Sequence, residues 1–129
     1  MIGKNVIFGS INALSKNELS RRDDLESLGY ILIYFIKGCL PWENVAIKNK
    51  EEKINKILEL KKKITEEILC NGLPEEIKLF LSYTKNLKFE EEPDYNYLKN
   101  LLKVVINTKN SDKDFYFFFL KIEYTKINI

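Results

Sequence analysis

The sequence predicts an all-α domain in which a central buried helix is ringed by amphipathic helices and loops. Three observations carry this. Leu28 to Ile36 is almost wholly apolar and lies between Ser20 and Gly38, so it reads as a bounded helix that is greasy on every face. Apolar residues recur at helical spacing at Ile54, Ile57, Leu58 and Leu60, and again at Tyr95, Leu98, Leu101, Leu102, Val105 and Ile106. Gly38, Pro41, Gly72, Pro74 and Pro93 fall between these stretches, where a helical chain must stop or restart. The 129 residues, 45% hydrophobic and 31% charged, suit one folded domain spanning 1–129 and exclude wholesale disorder.

Composition also narrows chemistry. The formal charge of +2 gives no basic surplus of the kind a nucleic-acid interface requires, so no nucleic-acid partner is expected. There is no histidine, which removes Ser-His and Cys-His catalysis and most zinc sites. Cys39 and Cys70 have no metal-ligand spacing and are expected as buried free thiols in a reducing compartment. The start, MIGKNVIFGSINAL, has no sustained apolar core or cleavage site, and Gly3 is one position too late for myristoylation. The apolar run of the central helix is too short to cross a bilayer. A soluble intracellular protein, cytoplasmic or nuclear, is the expectation.

Taken in order, Met1 to Leu19 lacks periodicity and predicts loop, with one helical turn near Ala13–Glu18. Ser20 followed three residues later by Asp23 is a capping-box-like start. Asp23 and Asp24 sit at the positive helix end, and Lys37-Gly38 forms a basic last turn and a terminating glycine. Cys39 to Trp42 is a turn, with Trp42 expected to anchor back on the bundle. Lys48 to Lys63 predicts a one-sided amphipathic helix whose lysines and glutamates, Lys56 and Lys61 among them, form a solvated face. Thr65 to Cys70 is a short helical piece stopped by Asn71-Gly72. Pro74 is expected as a first helical residue of a helix reaching about Leu87, with Ile77, Phe80, Leu81 and Tyr83-Thr84 inward. Phe89 to Pro93 is an acidic loop, better read as solvated than as a cation site. Asp94 caps the last clear helix, and Asn107 to Asp114 is a polar break. Phe115 to Leu120 is an unbroken apolar run, either a plug beneath the bundle or a sticky end, and periodicity leaves strand and helix equally open there.

The stretch Ser20–Tyr30, SRRDDLESLGY, followed by Gly38–Trp42, GCLPW, resembles the central F helix and following loop of protein kinases of the casein kinase I family. The resemblance resumes at Ile68–Pro74, ILCNGLP, and at Leu87–Leu98, LKFEEEPDYNYL. Upstream, Ile2–Asn12 is similar to the end of that family's activation segment, with Ser10-Ile11-Asn12 where kinases usually carry Ala-Pro-Glu. The resemblance covers nearly the whole chain and is weakest at its ends. It implies the later part of a kinase large lobe, from the activation-segment end to the last helix.

What the resemblance implies about activity is mostly negative. The glycine-rich loop, the strand lysine, the HRD loop and the DFG aspartate that bind ATP and magnesium have no counterpart in these residues. No catalytic, cofactor or metal residue is therefore expected, and the chain alone is expected to be inactive. Asp24 matches the F-helix aspartate that holds the catalytic loop from below in kinases. Counting without gaps from Pro41-Trp42, Lys53 falls where the family places a lysine of its anion site. Gly3 matches a family glycine, but Lys4 replaces a threonine and Val6-Ile7-Phe8 leaves no arginine for pre-phosphorylated substrates. Phe118-Phe119 stands where the family has an aspartate-tryptophan pair. Two functions follow as expectations: a truncated Ser/Thr kinase fragment, or a catalytically dead helical module that binds a protein partner or itself through the uncovered face of the central helix.

Overall fold

The computed structural model describes residues 4–109, and side chains from Val6 to Val105. Every regular element in that span is α-helical: α1 (Lys4–Phe8), α2 (Ile11–Leu14), α3 (Arg21–Lys37), α4 (Lys50–Lys63), α5 (Glu66–Leu69), α6 (Glu75–Lys85) and α7 (Tyr95–Lys109). The apolar run from Phe115 to Leu120 lies outside the described residues.

Helix α3 begins and ends where its punctuation placed it. The Asp23 carboxylate accepts the Ser20 backbone N–H at 2.9 Å, satisfying one of the donors a helix start leaves without an intrahelical partner. Gly38 takes φ 89° and donates its N–H to the Tyr34 carbonyl at 2.8 Å. That left-handed conformation is where a Cβ would be strained. Leu25, Leu28, Tyr30, Leu32 and Ile33 are buried. The helix is not enclosed all round, however. Asp24, Tyr34 and Phe35 are exposed, while Ser27 and Ile31 are half-buried. At 3.6 residues per turn these positions share one stripe, the less buried side of α3.

The largest helix–helix interface is α3 on α6, followed by α6 on α7. Gly29 permits the first: a Cβ built there would stand 3.1 Å from Leu81 Cδ1 and 3.6 Å from Phe80 Cδ1. Ile77, Phe80, Leu81 and Thr84 supply the buried side of α6, and Leu98, Leu101, Leu102 and Val105 that of α7. The Asp94 carboxylate accepts the Tyr97 N–H at 3.0 Å, as its cap role predicts. Three boundaries move. Pro74 stands at the N-cap rather than inside α6, α6 ends at Lys85, and α7 carries Asn107 to Lys109, part of the expected polar break.

The N-terminal segment overturns its expectation as loop. It folds into α1 and α2, and both pack on α3 and on α4. Helix α4 thus reaches the central helix chiefly through these two short helices. The cysteines also divide: Cys70 is buried, whereas Cys39 is exposed. Cys39 follows the positive-φ Gly38 as the chain leaves α3, where the solvent-facing turn determines its exposure rather than its apolar neighbours.

Candidate functional site

The polar side chains gather where the N-terminal segment crosses α3. Asp23, Glu26 and Tyr30 follow one another at helical spacing, so all three project toward that segment. Asp23 Oδ1 accepts from Ser10 Oγ at 2.9 Å and from Asn12 Nδ2 at 3.0 Å. Its Oδ2 takes the Ser20 N–H, with Arg22 Nε 4.0 Å away. Glu26 Oε2 accepts from the Ile11 N–H at 3.0 Å and from the Tyr30 hydroxyl at 2.7 Å. Both carboxylates are buried, which is tolerable because their acceptor capacity is engaged by donors. Ser10 also caps α2 by accepting the Ala13 N–H at 3.0 Å. The Ser10-Ile11-Asn12 turn is therefore fixed by two acidic side chains from one helix face.

A second layer lies beneath. Lys61 is 1% exposed and donates from Nζ to the carbonyls of Val6, at 2.8 Å, and Gly9, at 2.6 Å. The amine also stands 5.1 Å from the centre of the Tyr30 ring and 5.3 Å from that of Trp42. Trp42 is 1% exposed, donates its indole N–H to the Ile7 carbonyl at 2.8 Å, and meets Tyr30 edge-on. Burial lowers the Lys61 pKa to about 7, against the opposing pull of Glu26. Burial, then Glu26, pushes the Tyr30 hydroxyl well above its ordinary range.

These positions correct the expectation that Lys61 belongs to a solvated face. It follows Ile54 and Ile57 at helical spacing, and that is the apolar side of α4.

Asp24 and Lys53 are not brought together. Asp24 is exposed, and its carboxylate makes no hydrogen bond or ion pair with a described residue. Loss of solvent around it, reinforced by Asp23, raises its pKa. Lys53 is half-buried in the first turn of α4, beside the acidic Glu51 and Glu52, and no arginine joins it. The two arginines serve α3 instead. Arg22 donates to the Leu87 carbonyl at 3.0 Å and lies over the Phe89 ring at 5.8 Å, drawing the acidic loop against the start of α3.

Among the described residues no three His, Cys, Asp or Glu side chains are grouped to hold a metal, and no helix is long and apolar enough to cross a membrane. What the arrangement can do is structural: it holds the Ser10-Ile11-Asn12 turn in place on α3. No protein-family model matches the chain.

Proposed function

We infer that this chain is a truncated casein kinase I-like Ser/Thr kinase fragment, whose lineage activity is ATP-dependent protein phosphorylation and which performs no phosphoryl transfer by itself. One observation carries the reading. Ser10-Ile11-Asn12 and the Ser20–Tyr30 block, which carry the resemblance separately in sequence, meet in space through Asp23 and Glu26. That contact gives the two motifs a shared physical purpose: the first is held by the second. Asp24, on the neighbouring face, is free of described hydrogen-bond partners, as suits a residue whose family role is to support a loop from elsewhere.

The partial exposure of Tyr34 and Phe35 on α3 favours a second reading, a catalytically dead module that docks a kinase partner there. One measurement tests both readings together, and a second separates them. The purified chain is expected neither to shift its melting temperature with Mg-ATP nor to phosphorylate acidic substrates, and transfer by a contaminant-free preparation would overturn both readings. An upstream coding sequence that supplies the glycine-rich loop, HRD and DFG in a joinable frame supports the fragment. An intact upstream frame encoding something unrelated supports the docking module.

A further inference from the structure

We propose that Lys61 is a pH-sensitive latch that fastens the Val6–Gly9 segment, and with it α1, onto α3 and α4. The geometry comes first. Three hydrogen bonds from two side chains converge on four consecutive residues: Lys61 Nζ on the Val6 and Gly9 carbonyls, and Trp42 Nε1 on that of Ile7 between them. Because α4 meets the rest of the bundle largely through α1 and α2, this one amine joins three elements. A neutral amine keeps two N–H bonds, one for each carbonyl. The third proton of an ammonium would face the Tyr30 and Trp42 rings, which stabilise a cation but replace water only in part.

The charged surroundings are few. From α3, Glu26 and Tyr30 face the amine. From the N-terminal segment come backbone carbonyls, and residues 6–8 and 11–14 carry no titratable side chain. Glu26, the one anion among the described residues that acts on it, is already engaged by the Ile11 N–H and the Tyr30 hydroxyl.

The direction of the switch follows from linkage. With the latch closed, Lys61 titrates at about 7; released into water it regains its ordinary value of 10.5. Between those values the open form holds one more proton than the closed form, so rising pH favours closure. Below about pH 7 both forms are protonated and this contribution is flat, with closure at its weakest. One proton of difference changes the open-to-closed ratio by up to about tenfold per pH unit.

Trp42 is the only tryptophan in the chain, so its indole N–H is a unique reporter. The test is hydrogen exchange of that N–H in the full chain between pH 5 and 9, corrected for intrinsic rate, with the Phe80 amide as a reference for global opening. Protection of the indole should rise above about pH 7 and stay below that of Phe80. Lys61→Met should flatten the rise. If that variant does not fold, Glu26→Gln decides, because removing the anion should move the onset to lower pH. A flat wild-type profile would overturn the proposal. So would a rise that survives in Lys61→Met, an unmoved onset in Glu26→Gln, or identical protection and slope for the indole and Phe80.

Discussion

Asp23 accepts hydrogen bonds from Ser10, Asn12 and the Ser20 backbone, whereas its neighbour Asp24 has none from the described residues and a raised pKa. Helical geometry separates them by about a hundred degrees, one toward the N-terminal segment and the other toward solvent. Asp23→Ala should therefore cost about 2–4 kcal/mol, since buried donors lose a charged acceptor. Asp24→Asn at neutral pH should leave the melting temperature unchanged or raise it, because a carboxylate whose folded pKa is raised weakens the folded state above that pKa. Equal losses for the two would contradict this assignment. Lys61→Ala should cost about 1–3 kcal/mol by leaving the Val6 and Gly9 carbonyls without their donor, while Lys56→Ala, on the outer face, should stay within about 0.5 kcal/mol. Thiol alkylation gives a further check. Cys39 is exposed and should react quickly; Cys70 is buried, and burial together with Glu66 pushes its pKa up to about 11, so it should react only as the chain unfolds.

Helix α3 has two unlike sides, and substitutions along it should reflect that. Leu32 is fully buried, whereas Phe35 is 42% exposed. Leu32→Ala should cost about 2–5 kcal/mol through lost burial and a residual cavity. Phe35→Ala should cost clearly less, contrary to what a fully enclosed helix would require. Gly29 tests the opposite limit. With Leu81 and Phe80 already against the position of its missing Cβ, Gly29→Val should destabilise by about 1–3 kcal/mol through overpacking of the α3–α6 contact, despite valine's better helix propensity. Chemical denaturation of the three variants measures all of this in one series.

The bundle has a continuous core from Leu25 on α3 to Val105 on α7, but it presents Tyr34 and Phe35 on the stripe that begins at Asp24. A large apolar side chain that stays partly exposed, as both do, forgoes part of the roughly 1.5–3 kcal/mol of full burial, and adjacent ones favour association. The full chain should therefore self-associate with increasing concentration, read by light scattering. Tyr34→Lys should reduce that association at a modest cost in melting temperature, since Tyr34 is 37% exposed and meets Phe8 edge-on at 5.5 Å. A monodisperse wild-type monomer with no dye-accessible apolar surface would refute the expectation.

Local chemistry sufficed for the helices that own strong signals. Ser20, Gly38, Asp94 and the apolar spacing of α6 and α7 each act within a few residues, so those elements and most of their buried faces could be read directly. Trp42 was readable as an anchor because a large aromatic beside proline has few other uses. The N-terminal helices were not readable. Their few residues cannot nucleate a helix unaided, and they are held by Asp23, Glu26, Trp42 and Lys61, which lie between 11 and 55 positions away. The candidate site divided in the same way. Asp24 came from a motif, whereas Asp23 and Glu26 acquired their partners only when the segment folded across α3. Lys61 carries the plainest lesson: sequence shows a lysine among lysines. Only the tertiary structure decides which one is desolvated, because burial of a charge depends on what other elements bring to it.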